Sequence, residues 1–302
     1  MKRHAIVVGG AGFIGSNLTD ALIREGWSVD VIDNLVGGKR ENVHPDAHFY
    51  ELDIRDREAI TPIIAGADVL FHLAALPSIQ FSIEQPHHAH DVNTSGMLNV
   101  LIAAKDGGVG RVVYSASASA YGDHDTLPLH EELPARPLSP YALQKYIGEK
   151  YLRLFTEVYG MKGVSLRYFN AYGPRMSSEG AYALAIAKFL DRRKKGLPLP
   201  VVGDGEQTRD FIHVRDIVRA NILAATSDKV GNGEVINVGS GQRTSINTLV
   251  RFFGGEVEYV PQRIESRDSE ADNARARELL GWTPSVTVEE GIRELLKEAG
   301  IS

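Results

Sequence analysis

A short apolar run, Ala5-Ile6-Val7-Val8, breaks directly into Gly9-Gly10-Ala11-Gly12-Phe13-Ile14-Gly15, and a helical pattern follows from Phe13 to Arg24. A strand, a turn framed G-x-x-G-x-x-G at Gly9, Gly12 and Gly15, and a helix in immediate succession constrain the chain more than any other feature. The three glycines permit a tight turn, close approach of a pyrophosphate, and close helix–strand packing. The N-terminus of the helix supplies free N–H groups and a positive dipole end for phosphates. A lone glycine pattern is weak evidence. Here it stands in the context that a dinucleotide fold requires, strand before and helix after.

The rhythm beyond the loop agrees. Ser28–Ile32, His48–Leu52, Val69–Leu73, Val112–Ser115 and Val164–Leu166 read as further strands, and Asp56–Ile64, Val92–Lys105 and Tyr141–Tyr159 as helices. Alternating strands and helices predict an α/β protein with a Rossmann-like, doubly wound parallel sheet covered on both faces. At roughly 150 residues per domain, 302 residues suggest about two domains. After Gly173-Pro174 the rhythm changes: a helix at Ala181–Lys194, a turn-rich stretch from Gly196 to Gly205, Arg209–Val214, a helix at Asp216–Ala225, and a strand at Glu234–Val238. We expect an NAD-binding domain over 1–170, rejoined by 212–238, and a smaller mixed α/β lobe over 171–211 and 239–302 that binds substrate. With 33 Lys+Arg against 39 Asp+Glu, the charge balance argues against nucleic-acid binding. The absence of cysteine removes disulfides, thiolate metal sites and a cysteine nucleophile. No 18-residue apolar run or secretory h-region is present, so we expect no membrane span and a cytoplasmic location.

Asp33 follows Gly15 by 18 residues, where an acidic side chain should hold the adenosine ribose hydroxyls. A carboxylate there repels a 2′-phosphate, which favours NAD over NADP, with Lys39 and Arg40 nearby as the opposing signal. The bland reading of Asp33-Asn34 is a helix cap. Asp53-Ile54 follows the third strand, and Asp53 either caps a helix starting near Arg55 or binds the adenine amino group. The small residues of Leu73-Ala74-Ala75 let a cofactor pass near the backbone.

Tyr141 and Lys145 stand four apart at the start of a long helix, so both address one site. A nearby ammonium and the positive nicotinamide ring favour the phenolate and should lower the tyrosine pKa. The run Ser115-Ala116-Ser117-Ala118-Ser119 ends the fifth strand and offers hydroxyls to relay a proton; spacing alone does not select among them. Its bland reading is a turn whose hydroxyls satisfy the backbone. His87, His88 and His90 read as a solvated loop and not a metal site. Arg192-Arg193-Lys194-Lys195 reads as a solvated helix end.

Taken together, these segments identify a resemblance. The glycine loop, Asp33-Asn34-Leu35 with Gly38-Lys39-Arg40, Phe71-His72-Leu73-Ala74-Ala75, Tyr114 to Gly122, Ser139-Pro140-Tyr141, Leu166-Arg167-Tyr168-Phe169-Asn170, Gly203-Asp204-Gly205 with Arg209-Asp210-Phe211, and Asn237-Val238-Gly239 resemble the extended short-chain dehydrogenase/reductase family, and within it the UDP-hexose 4-epimerases. The match runs through nearly the whole chain. It departs from the family at Val8, where threonine is usual.

The resemblance implies a catalytic set of Ser117, Tyr141 and Lys145. It implies NAD contacts from Gly9, Gly12, Phe13, Ile14, Gly15, Asp33, Asn34, Asp53, Ile54, Leu73, Ala74, Ala75, Tyr141, Lys145 and Tyr168. Asn170 and Arg209 fall at diphosphate positions. Sugar-nucleotide 4,6-dehydratases of the family carry Asp-Glu where Ala118 and Ser119 stand, and the related decarboxylases also place a glutamate in this strip. Without that acid, elimination lacks its proton donor, which favours 4-epimerisation of a UDP-sugar through a 4-keto intermediate. The alternatives are another nucleotide-sugar reaction of the family, or a non-catalytic NAD-binding regulator, a class that usually lacks the tyrosine or lysine. Counting back from Ala271-Asp272 makes Ser269 the gate residue, small enough to admit an acetamido group. Gly180-Ala181-Tyr182-Ala183 resembles epimerases of N-acetylated UDP-hexosamines. Gln262-Arg263-Ile264-Glu265 replaces the family's Arg-Pro-Gly-Asp, leaving Arg263, or else Arg267, as the phosphate-binding arginine. The resemblance also implies a homodimer paired through the helices near Val92–Lys105 and Tyr141–Tyr159.

Overall fold

The structure is a computed structural model that describes residues 2–177, 185–261 and 268–301. In chain order its first part comprises β1 (His4–Val8), α1 (Phe13–Arg24), β2 (Ser28–Asp33), β3 (His48–Glu51), α2 (Arg57–Ile64), β4 (Val69–His72), α3 (Ile79–Glu84), α4 (Pro86–His90), α5 (Met97–Asp106), β5 (Val112–Ser117), α6 (Pro140–Tyr159) and β6 (Gly163–Tyr168). Then follow β7 (Asn170–Tyr172), α7 (Ala185–Lys194), β8 (Leu199–Val202), β9 (Thr208–Arg209), β10 (Phe211–His213), α8 (Val214–Thr226), β11 (Asn232–Val238), β12 (Thr244–Ser245), α9 (Ile246–Phe253), β13 (Val257–Val260), α10 (Ala274–Leu280) and α11 (Val288–Glu298).

Seven strands form one parallel sheet in the order β11-β6-β5-β4-β1-β2-β3. The order reverses between β1 and β4, and the carboxyl ends of these two strands open the crevice where such sheets bind ligands. Successive β1 side chains serve opposite faces. Ala5 and Val7 pack with Leu18 and Leu22 of α1 and Ile217 of α8. Ile6 and Val8 pack with Ile60 of α2, Leu101 of α5 and Leu152 of α6. Both faces are therefore dry, which is why these strands read as continuous apolar runs. A third apolar cluster, including Tyr172, Phe189, Val201, Phe211, Leu249, Phe253 and Ile292, joins β7, β8, β10, α7, α9 and α11.

The structure corrects several expectations. The helix expected at 92–105 begins with a π-helical turn, Asp91–Gly96, before α5. Within that turn Asn93 accepts the Leu76 N–H and donates to both the Leu76 carbonyl and the Gln144 side chain of α6, an inward role that an amphipathic pattern cannot encode. The three histidines lie on or end a short helix, α4, started by Pro86 at its first position, and not a loop. The α2 helix begins at Arg57 and its cap is Asp56, which accepts the Ala59 N–H; Asp53 is not the cap. The basic run after Asp191 is only partly solvated: Arg192 donates to the Pro198 carbonyl and Arg193 to that of Phe253. The part of the expected helix before Ala185 lies outside the described residues.

Helix α6 is tied to β6 by a buried ion pair, in which Arg167 Nε and Nη2 donate to the two Glu149 carboxylate oxygens at 2.8 and 2.7 Å. The same guanidinium lies 4.5 Å from the centre of the Tyr121 ring. Removing one partner of such a pair leaves the other charge buried and uncompensated. Glu149→Ala should destabilise the protein by about 3–5 kcal/mol in urea unfolding. Glu157→Ala, which breaks the exposed and solvent-screened Arg153–Glu157 pair, should leave the urea midpoint nearly unchanged.

Candidate active site

A cleft of about 1690 Å³ runs from the carboxyl ends of β1, β2, β4 and β5 to the third apolar cluster. That exceeds the ~300–1,000 Å³ usual for one small ligand, so it has room for two. Apolar side chains left exposed at its wall, Val36, Ile79, Ile83 and Leu138, offer surface that an occupant would cover.

The glycine loop forms one end. Gly9 has φ +85°, and a Cβ there would lie 2.6 Å from the Ala74 nitrogen; a Cβ at Gly15 would lie 2.1 Å from the Gly9 carbonyl oxygen. Neither position tolerates a side chain, because the Leu73-Ala74 backbone that follows β4 and the loop's own backbone already fill the space. Gly12 begins α1 without a side-chain cap, and the first turn carries no acidic residue. The first-turn N–H groups therefore face the cleft with a positive dipole end, which is what a pyrophosphate needs.

Asp33 ends β2 and accepts the Ala11 N–H at 3.0 Å on one oxygen and the Leu35 N–H at 2.8 Å on the other. It caps no helix. Burial raises its pKa despite these two donors. Gly9, Gly12, Phe13, Ile14, Gly15, Asp33, Asn34, Ile54, Leu73, Ala74 and Ala75 all line the cleft. Asp53 does not. Its carboxylate is held by Arg55 and by the Asn34 amide, and the Arg55 hydrogen bond pulls its pKa down to about 2.

At the other end of the crevice, Ser117, Tyr141 and Lys145 line the same wall. Ser117 Oγ accepts from the Ser119 hydroxyl at 2.8 Å and from the Ser119 N–H at 3.2 Å. Lys145 Nζ donates to the Ser115 carbonyl at 2.7 Å and lies 5.2 Å from the centre of the Tyr114 ring. The expected lowering of the tyrosine pKa is not met in the protein alone. Burial pushes Tyr141 up to about 12, only partly offset by Ser117, and pulls Lys145 down to about 7, partly offset by Glu149. Behind them His72 is fully buried and stacked on Tyr114, its Nδ1 without a hydrogen-bond partner among the described residues. Burial, and secondarily the Lys145 charge, drop its pKa to about 3, so it stays neutral.

On the far side, Tyr168, Asn170, Arg209 and Ser269 line the cleft. Tyr168 donates its hydroxyl to Asn221 of α8. The Asn170 amide donates to the Asp210 carbonyl, and Ser269 Oγ accepts the Asp210 N–H. Arg263 and Arg267 lie outside the described residues, as does the segment 180–183. Sequence reasoning missed the wall contributed by α3 and α4, including Ser78, Gln80 and His88, and the buried Ser82 behind it. Ser78, which caps the Phe81 N–H, was a readable start signal for α3.

A family model, the NAD dependent epimerase/dehydratase family, matches residues 5–239. The chain belongs to that family, and its cofactor is NAD. The solved UDP-glucose 4-epimerase of Thermotoga maritima, in complex with UDP-glucose, is 38% identical, covers 98% of this chain and 99% of its own, and superposes with a TM-score of 0.93. A UDP-N-acetylglucosamine 4-epimerase from Methanobrevibacter ruminantium, solved with UDP-N-acetylmuramic acid, is 37% identical over 98% of each chain, with a TM-score of 0.92. The UDP-glucose 4-epimerase of Mycolicibacterium smegmatis is 36% identical over 309 aligned residues, covering 97% of each chain. Among the described residues, no helix is long and apolar enough to cross a membrane.

The buried lysine gives the site a pH signature. Its folded pKa, about 7, lies below the ordinary lysine value of about 10.4, so unfolding takes up a proton between these values and stability rises with pH there. The cost of burying the ammonium is full below pH 7 and gone above about pH 10.4. Lys145→Met should therefore raise Tm most at pH 6.5, with the advantage over the parent protein shrinking towards pH 10, as read by thermal melts across that range.

Proposed function

We propose that the protein is an NAD-dependent UDP-hexose 4-epimerase. It interconverts UDP-glucose and UDP-galactose and takes UDP-GlcNAc and UDP-GalNAc as a second pair. One observation carries this reading: Ser117, Tyr141 and Lys145 line the wall of one cleft that also contains the glycine loop. Two positions narrow the reaction. Ala118 and Ser119 line the cleft next to Ser117 and bring no carboxyl group for eliminating water. Ser269 is small, which leaves room for an acetamido group, and the Methanobrevibacter neighbour is an epimerase of such a sugar.

In this reading the N–H groups of the glycine loop and of the first turn of α1 hold the pyrophosphate, and Asp33 receives the ribose hydroxyls. Asn170 and Arg209 hold the substrate diphosphate, with Arg263 as a further candidate. NAD held there would supply a reversible hydride acceptor for the sugar C4 and a positive charge that would favour the Tyr141 phenolate. Tyr141 removes the proton of the 4-hydroxyl, with Ser117 bridging. Lys145 sets the electrostatics of the phenol and holds the wall through the Ser115 carbonyl. NMR of the products should reveal exchange at C4 in each of the four UDP-sugars with no net NADH. Tyr141→Phe should lower turnover to below a few per cent while the purified protein keeps its NAD; retained turnover would remove Tyr141 from the role of base.

We also infer a homodimer. Leu143, Leu154, Val158 and Tyr159 of α6 are exposed, and Leu98 and Ile102 of the adjacent α5 are only partly buried. A second copy would cover this stripe. Sedimentation at micromolar concentration should give a dimer, and Leu154→Glu with Val158→Glu should give a monomer.

A further inference from the structure

We propose that Ser82, a buried residue of α3, is a positioning residue for Tyr141. The inference rests on the reading of Tyr141 as the base. A helix leaves its first N–H groups without intrahelical partners, and each must be satisfied elsewhere. The start of α6 is fully accounted for. Pro140, the first helical residue, has no N–H. The Ala142 N–H is accepted by Oγ of the cap residue Ser139, and the Leu143 N–H by the Ser139 carbonyl. The remaining N–H belongs to Tyr141, and its acceptor comes from another helix: Ser82 Oγ, at 3.1 Å.

The donor and acceptor inventory of Ser82 fixes the direction of this bond. Its own hydroxyl proton goes to the Ile79 carbonyl at 2.7 Å, so Oγ faces Tyr141 as an acceptor. Ser82 has no solvent exposure, so no water replaces it when the hydroxyl is removed. The Tyr141 N–H would then carry the full penalty of an unmade buried bond, and the first turn of α6 would shift to find a partner. A tyrosine that must meet one sugar hydroxyl and Ser117 at once does not tolerate such a shift, since ~1 Å of misplacement can cost 10²-fold in rate. The same hydroxyl links the cleft wall to the base, because Ile79, whose carbonyl it holds, lines the cleft.

The test uses the holoenzyme with UDP-glucose and four variants, with rates normalised to bound NAD. Ser82→Ala removes the acceptor without adding volume, and should lower kcat at least tenfold while KM and NAD content stay within twofold. Ser82→Thr and Ser82→Val share a shape and differ in the hydroxyl, so overpacking affects both equally, and Thr should exceed Val in kcat by at least threefold. A role confined to stability would lower Tm and leave kcat per bound NAD unchanged. Ser82→Ala with more than half the parental kcat, a loss confined to KM, or equal kcat for Thr and Val would overturn the proposal. Tyr141→Phe, assayed alongside, separates the two readings: if it stays active, the assignment of the base fails whatever Ser82 does.

Discussion

A lysine ammonium in a dry interior is the constraint on which the rest of this structure turns. Lys145 has almost no solvent contact, and a buried cation persists only where fixed dipoles and charges replace water. The Ser115 carbonyl at the end of β5 supplies a direct acceptor, the Tyr114 ring supplies a negative π-face, and Glu149 stands one helical turn further on. These groups come from two elements, so β5 and α6 must lie in one register for the cation to be tolerated. That register also sets Tyr141, one turn before Lys145, against Ser117 at the tip of β5. Burial of Lys145 opposes folding in full below pH 7 and progressively less up to about pH 10.4, while the arrangement it enforces places Tyr141 and Ser117 in the wall of one cleft. Stability is given up locally and recovered in the two apolar layers on either side of the sheet.

A second polar centre organises the far wall. The Asp210 carboxylate is buried and accepts the N–H groups of Ser240, Gly241 and Ala271 and the Ser240 hydroxyl. Burial raises its pKa, and these four donors pull the other way. Its backbone carbonyl accepts both the N–H and the side-chain amide of Asn170, and its N–H donates to Ser269. Arg209 is its chain neighbour. Three residues proposed to face the substrate are therefore tied to the backbone of one residue, whose carboxylate in turn links β9 and β10 to the loop after β11 and to Ala271. Such a hub suits a site assembled from chain segments far apart in sequence, because one buried residue joins all of them at once.

Legibility in the sequence followed the range of the interactions. Strands buried on both faces announced themselves as apolar runs, and the glycine loop announced itself because only glycine fits at position 9 against the Leu73-Ala74 backbone and at position 15 against the Gly9 carbonyl. Tyr141 and Lys145 were legible because helical geometry makes residues four apart neighbours. What escaped was set by contacts across space. The π-helical turn at Asp91–Gly96 exists to aim Asn93 at Leu76 and Gln144, and no periodicity encodes that. Helices α3 and α4 are too short for a pattern to emerge, so the cleft wall they form went unread. The upward shift of the Tyr141 pKa also escaped, because spacing told of a nearby ammonium but not of how dry the surroundings are.

The proposed reaction places opposite demands on the two ends of the substrate. A sugar that is oxidised on one face and reduced on the other must present both faces of C4 to the same hydride donor, so contacts to the ring itself must be few and non-committal. The grip has to come from the nucleotide end, which stays in place while the ring turns. The cleft is built in that sense. Asn170, proposed to hold the diphosphate with Arg209, is pinned to the backbone of the buried Asp210, a rigid support for that role. Around Ser117 and Tyr141 the wall is made largely of small side chains, Ala116, Ala118, Ser119 and Ala142. Small side chains leave a ring free to rotate and set no strong preference for an axial or equatorial hydroxyl. Catalysis by one tyrosine on both epimers then requires that the protein fix the phenol and not the sugar, so the rigidity of the first turn of α6 matters more to this reaction than any contact to the hexose.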